Sequence, residues 1–308
     1  MRRFFLRIVA LGASLACLAA CGTAGLNPTA VPGTTPLGQR TLDAKSGTYV
    51  YTCQYQTLVD CLVYQKNKIV RTLKTGLKKP AGVVAGVDGL LYVADENAKK
   101  ILVYSAGAKK LMRSVSDGAD VPVDVAVYKD ELAVANQKNM TFFAKGAKKP
   151  TATLKDSRAA KGVGAAFDSA GNCYFSFTTS GSGAHVDEFK GCKGKGQDLN
   201  ISPGSPYGIA FDGKDNLYYA SFPSSANGVY KCTGVTSCKQ FSNIFYEPQY
   251  LNFSESFTEL WVSDAGNYSK GAFLDEFNVA NGKLVDTITQ GLSFFNQPSG
   301  VAPGPGSL

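Results

Sequence analysis

Residues 206–221 read PYGIAFDGKDNLYYAS. Two short runs rich in tyrosine, phenylalanine, isoleucine and leucine flank an Asp-Gly-Lys-Asp-Asn turn. Runs of this length and composition around a turn predict a hairpin whose strands are buried on both faces. The opening phrase recurs as PAGVVAG from Pro80, PVDVAVY from Pro122, GVGAAFD from Gly162, PQYLNFS from Pro248 and PSGVAPG from Pro298. Successive starts lie 42, 40, 44, 42 and 50 residues apart, a period that few architectures share.

Five of the phrases are followed by a second run: LLYVAD (90–95), ELAVAN (131–136), NCYFSF (172–177), NLYYAS (216–221) and ELWVSD (259–264). A third run such as ILVYSAG, MTFFAKG or GVYKCTG comes next, then a more polar fourth such as KLMRSV, PTATLK or KLVDTI. Four antiparallel strands per ~40–45 residues is the unit of a β-propeller blade. No segment sustains the 3.6-residue period, which argues against a helical solenoid of similar repeat length.

The two ends sharpen this reading. Residues 48–73 (TYVYTC, DCLVYQ, KIVRTL) supply strands two to four of a blade without its first, and 297–304 supply a first strand without the rest. Either fragment alone leaves an apolar edge unpaired, and together they complete one sheet. The expected fold is all-β: a six-bladed β-propeller over residues 48–308, closed by its C-terminal strand pairing with the N-terminal blade. Pro303 and Pro305 weaken that last strand, but an innermost strand pairs on one side only and tolerates proline.

The phrase P-x-G-[IV]-A-x-D, then N-L-Y-x-A, then V-x-x-[YF], is similar to NHL-type and gluconolactonase-like six-bladed propellers, the TolB-like superfamily. The resemblance covers residues 48–308 and rests on structural positions, so it speaks to fold and poorly to function. For gluconolactonase-like members it implies a hard divalent cation held by oxygen ligands at the axial mouth, a chemistry suited to calcium.

The N-terminus carries an address. Arg2, Arg3 and Arg7 precede an apolar run from Ile8 to Ala20, too short to span a bilayer and suited to a secretory signal over residues 1–20. Leu18-Ala19-Ala20-Cys21 resembles a bacterial lipobox, making Cys21 the expected lipid-bearing residue; the other reading is an ordinary signal with an incidental cysteine. Residues 21–47, rich in Gly, Pro and Thr, read as a flexible tether. In a diderm host, Gly22 lacks the aspartate associated with inner-membrane retention, which favours the outer membrane. Removing residues 1–20 takes the net charge from +8 to +5, too modest for an exported nucleic-acid binder.

Six further cysteines fall as local couples, Cys53 with Cys61, Cys173 with Cys192 and Cys232 with Cys238. Nearest-neighbour disulfides in an oxidising compartment are the preferred pairing among fifteen connectivities, against buried free thiols. No couple has the spacing of a zinc knuckle. The chain holds one histidine, which excludes a three-histidine zinc centre and any His-His catalytic pair.

Chemistry therefore has few carriers. Propeller ligands meet the face built by loops from strand two to three and from strand four to the next strand one. The third residue of the phrase also belongs to that region: it is Gly82, Gly164, Gly208 and Gly300 in four blades, but Asp124 and Tyr250 in the others. Asp95, Asp124 and Asp264 are the candidate cation ligands, with Asn136 as a neutral oxygen donor; the same residues also read as ordinary strand-ending turn formers. Tyr207 and Tyr250 are the aromatic candidates beside the mouth. His185 opens a third strand away from the axis and reads as a surface or inter-blade residue more than an acid-base catalyst.

Lys66, Lys68, Lys109, Lys110, Lys148, Lys149, Lys193 and Lys195 fall at turns between strands three and four, on the rim of the opposite face. Such a rim attracts anionic headgroups or acidic envelope polymers, or simply solvates outer edges. With no Gly-x-Ser-x-Gly elbow and no phosphate-binding fingerprint, the first functional expectation is a lipid-anchored envelope module that binds a protein or small ligand. A calcium-dependent lactonase-like hydrolase is the alternative, and polymer attachment through the lysine rim the weaker one.

Overall fold

Cross-strand pairing of the apolar runs builds six four-stranded antiparallel sheets in a computed structural model, which describes residues 48–304 apart from 55, 119, 182 and 223–225. The expected signal peptide, Cys21 and tether lie outside the described residues. Blade 1 contains β1 (Tyr49–Gln54), β2 (Asp60–Gln65) and β3 (Lys68–Leu73). Blade 2 holds β4 (Pro80–Ala85), β5 (Leu91–Asp95), β6 (Lys100–Tyr104) and β7 (Leu111–Ser116), and blade 3 holds β8 (Pro122–Tyr128), β9 (Glu131–Asn136), β10 (Met140–Phe143) and β11 (Ala152–Leu154). Blade 4 comprises β12 (Lys161–Phe167), β13 (Cys173–Thr178), β14 (Ala184–Phe189) and β15 (Gln197–Asp198). Blade 5 has β16 (Pro206–Phe211), β17 (Leu217–Ser221), β18 (Gly228–Thr233) and β19 (Ser237–Ser242). Blade 6 has β20 (Pro248–Phe253), β21 (Glu259–Asn267), β22 (Gly271–Asn278) and β23 (Leu284–Ile288), and the chain ends its described course in β24 (Ala302–Gly304).

The architecture is a six-bladed β-propeller, and β24 supplies the missing first strand of blade 1: Tyr49 pairs with Gly304, Val50 with Pro303 and Tyr51 with Ala302. Pro303 sits on the innermost strand, where only one side of the backbone needs a ladder partner. Further hydrogen bonds reinforce the closure. The Ser299 N–H donates to the Cys53 carbonyl at 2.8 Å, and the Tyr64 hydroxyl donates to the Gln290 carbonyl at 2.7 Å.

Because the inner strands of each blade are buried on both faces, the apolar mass collects between blades. Six clusters occupy the six inter-blade interfaces. Val83, Val93 and Leu102 of blade 2 pack with Tyr51 and Val63 of blade 1. Around the ring, Trp261 and Leu274 of blade 6 meet Val50, Leu62, Tyr64 and Val301 at the closing interface. The aromatic residues of the repeated runs thus belong to packing, at about 1.5–3 kcal/mol for each large side chain fully buried.

The cysteines pair as nearest neighbours: Cys53–Cys61, Cys173–Cys192 and Cys232–Cys238, each within one blade. The first and third join residues directly opposite each other on neighbouring strands.

Deleting residues 297–308 should cost at least about 3 kcal/mol, since Val301 and Ala302 lose their burial and the inner edge of β1 is exposed. Urea unfolding of the truncated and intact chains measures the difference.

Candidate functional site

Loops from strand two to three and from strand four to the next strand one share one face, here the upper. A bulge follows the start of the phrase in five blades, at Pro80/Val83, Pro122/Asp124, Gly162/Gly164, Pro206/Ile209 and Pro248/Tyr250. The extra residue re-aims the chain near the axis, where neighbouring blades approach closely. A Cβ on Gly208 would lie 2.7 Å from the Tyr250 Cα, and one on Gly82 would collide with the Asp124 carboxylate.

That crowding decides the fate of the expected cation ligands. Asp124 is buried; its Oδ2 accepts the Ala165 N–H at 3.1 Å, binding blade 3 to blade 4. Asp95 accepts the N–H groups of Lys78 at 2.6 Å, Lys79 at 3.1 Å and Ala98 at 2.8 Å. Asp264, at the matching position of blade 6, accepts those of Tyr246, Glu247 and Gly266 at 2.7–2.8 Å. Both aspartates hold the incoming four-to-one loop against the end of the second strand, where backbone donors would otherwise be buried unpaired. Asp95, Asp124 and Asp264, the expected cation ligands, are thus each engaged by backbone N–H groups. Among the described residues no three His, Cys, Asp or Glu side chains are grouped to hold a metal.

Asn136 is fully buried. Its Nδ2 donates to Asn139 Oδ1 and Thr141 Oγ1, both at 3.2 Å, in a buried network that includes Asp117 and Asp120. His185 lies on the outer part of blade 4. Its Nδ1 is 2.9 Å from Asp198, whose carboxylate also pairs with Arg158. Arg158 bonds Asp156 and Asp187 as well, at 2.9 Å each.

Tyr207 and Tyr250 do come together, rings edge-to-face with centroids 5.8 Å apart. They border a mouth cavity of about 40 Å³ walled by the second residue of every phrase: Ala81, Val123, Val163, Tyr207, Gln249 and Ser299. Glu96, paired to Lys79 at 2.6 Å, and Lys161 overhang it. Burial, and then the Glu96 charge, push the Tyr207 phenol up from its ordinary range. The cavity admits a few waters or the tip of a side chain, far below the ~300–1,000 Å³ of small-molecule sites. A larger open groove of about 430 Å³ lies on the outer edge between blades 5 and 6, lined by Lys231, Lys239, Phe241 and Asn281 among others.

The upper face divides into two halves. Loops of blades 2–4 are rich in charge of both signs, with Lys74, Lys78, Lys79, Lys99, Lys138, Lys155, Arg158 and Lys161 outnumbering Glu96, Asp117, Asp120 and Asp156. Loops of blades 5, 6 and 1 carry two charges, Glu247 and Lys270, and expose Leu58, Val59, Ile244, Tyr246, Tyr268 and Phe295. Tyr268 is 78% exposed at its hairpin tip, yet its ring meets Phe294 and Phe295 with centroids 5.8 and 5.9 Å apart. Tyr246 stacks beside Phe273, 6.3 Å away. The Phe295 carbonyl accepts from Thr57 Oγ1 and Asn296 Oδ1 accepts from the Leu58 N–H, tying the patch to blade 1. Inspection of the phrases missed this patch. Its trace in the sequence is Phe294-Phe295 and Tyr268 standing among turn residues, where no strand needs them.

No family model matches the chain, and no curated protein matches it. Among solved structures it resembles the crystal structure of a protein of unknown function from Bacteroides caccae, with a TM-score of 0.62 and 13% identity over 84% of this chain and 99% of that one. Likeness at that identity establishes the shared fold alone.

Asp95→Ala and Asp264→Ala should each destabilise by about 2–4 kcal/mol in urea titrations, because three backbone N–H donors lose their acceptor. Burial pushes Asp124 and Asp187 up to about 7 and Asp117 and Asp275 to about 6. Between about pH 4 and 7 the folded chain thus binds more protons than the unfolded chain, so stability falls as pH rises through that window. Arg158 holds Asp156 below the usual carboxylate range, which contributes stability lost only in stronger acid. Thermal midpoints should peak near pH 4 and decline toward pH 7, and Asp124→Asn should flatten the decline by about 1–2 kcal/mol.

Proposed function

We propose that this protein is a binding module of the cell envelope, lipid-anchored through Cys21, whose partner docks on the uncharged aromatic half of the upper face. The observation that carries the reading is that half itself: six exposed large apolar residues with two charges among its loops, beside a half crowded with charge. Contiguous exposed apolar patches mark interaction sites, and aromatic anchors with few charges are the composition of interface centres. The mouth pair Tyr207–Tyr250 borders the same surface and adds a notch for one side-chain tip of the partner.

Support for the envelope comes from the lipobox-like Leu18-Ala19-Ala20-Cys21 and from three disulfides, bonds that persist in oxidising compartments. Outer-membrane attachment remains part of the proposal, as does kinship with NHL-type and TolB-like propellers. The lactonase-like alternative gains no support from the axial aspartates, whose oxygens already accept backbone N–H groups.

A photo-crosslinking residue placed at Tyr268 or Phe295 in living cells should give a discrete adduct, while one at Val285 on the outer strand of blade 6 should give none. Tyr246→Ala should weaken the adduct at Phe295 with little change in thermal midpoint. Equal labelling at all three positions, or none, would falsify the docking assignment. Cys21→Ser should move the protein from the membrane to the soluble fraction if the lipid holds it there.

A further inference from the structure

The lower face, built by turns from strand one to two and three to four, has its own chemistry. Blades 1–4 each present a lysine couple at the three-to-four turn: Lys66 and Lys68, Lys109 and Lys110, Lys148 and Lys149, Lys193 and Lys195. All eight are exposed, and none belongs to an ion pair among the described residues; Lys145, in the same arc, is paired with Asp130. The corresponding turn of blade 5, residues 234–236, has no lysine, and that of blade 6 has only Lys283. The charge is thus an arc over four consecutive blades and not a property of every turn.

Of the acids of the same face, Asp130 pairs with Lys145 and leaves the eight arc lysines unpaired, and others are folded into one-to-two turns. Asp88 accepts the Leu90 N–H, Asp168 those of Ala170 and Asn172, and Asp212 those of Lys214 and Asn216. Exposed apolar side chains accompany the lysines on blades 1 and 2: Val70 at 47%, Val87 at 59% and Met112 at 56%.

The first described strand of the propeller begins at this same edge. Tyr49, first residue of β1, pairs with Gln65, next to the Lys66 turn. Its ring also lies against Gly107, in the turn that carries Lys109 and Lys110, and the Arg71 guanidinium donates to the Gly107 carbonyl. The first described strand therefore begins between the first two lysine couples.

We propose that this lower face lies against an anionic lipid surface, with the four lysine couples meeting phosphate headgroups and Val70, Val87 and Met112 meeting the headgroup–acyl boundary. Basic side chains interspersed with a few apolar ones are the composition that binds membrane interfaces, and the arc complements their negative potential. The upper face, with its aromatic half, then points away from the bilayer. The assignment uses neither the acyl chain nor the identity of the upper-face partner, so its failure leaves the docking proposal to its own crosslinking test.

The test uses the full chain carrying Cys21→Ser, floated with phosphatidylcholine vesicles containing either no phosphatidylglycerol or 30 mol%, a roughly physiological anionic content. Anionic vesicles should bind at least about tenfold more protein, and 0.5 M NaCl should abolish the difference by screening, since the Debye length falls to only a few Å at that strength. A quadruple variant, Lys66→Glu, Lys109→Glu, Lys148→Glu and Lys193→Glu, should lose about tenfold in binding. A control with the same charge change on the upper face, Lys74→Glu, Lys99→Glu, Lys138→Glu and Lys155→Glu, should stay within about twofold of the parent. Thermal midpoints check that both fold, and lysine-to-glutamine versions replace either one that does not. Equal losses in the two variants, or no preference of the parent for anionic vesicles, overturn the proposal. Tight arc-dependent binding of soluble dextran sulfate, without vesicle binding, overturns it in favour of an acidic polymer.

Discussion

Every element of this fold depends on burial between blades. A four-stranded sheet with apolar residues on both faces has no stable existence alone, because each face needs another sheet against it. In a linear stack the two terminal faces would remain wet. The ring removes both, and it does so only because β24 and β1 share a blade: the cluster of Val50, Leu62, Tyr64, Trp261, Leu274 and Val301 has members from both ends of the chain. The disulfides act at a different level. Each joins strands or turns already within one blade, so they reinforce single sheets and leave the cohesion of the ring to packing.

Closing the ring sets how polar groups are spent. Where six innermost strands crowd the axis, glycine and bulges relieve the backbone, and a buried carboxylate survives by accepting backbone N–H groups. Asp95, Asp264 and Asp124 all do so, each within its own loop or to its own neighbour. A cation site needs several oxygens with lone pairs left over and aimed at one point. Here the same residue types are present, and the lone pairs are directed elsewhere.

The two faces consequently divide the exposed chemistry. Above, aromatic side chains that no interface covers gather on loops of blades 5, 6 and 1, while charge gathers on blades 2–4. Below, lysines occupy the outer turns of four blades and aspartates the inner turns. Loops on a rigid sheet scaffold vary at little cost to the core, which is why such differentiation sits there and not in the strands.

By itself the sequence determined the blade count, the closure and the partners of all three disulfides, because the ~42-residue period and the local cysteine couples are patterns of the covalent chain. It also placed Tyr207 and Tyr250 at the mouth, since phrase position maps directly onto distance from the axis. What only the tertiary structure decided was which polar atoms remain available. Whether Asp264 faces a ligand or the Tyr246 and Glu247 amides depends on the path of a neighbouring loop, not on any pattern in the aspartate's own run. The same holds for the patch of Tyr268, Phe294, Phe295 and Leu58, whose members are up to 237 positions apart in the chain and meet only because its ends share a blade. Periodic burial is written locally, whereas the direction of a lone pair and the company of an exposed ring are properties of loops brought together by closure.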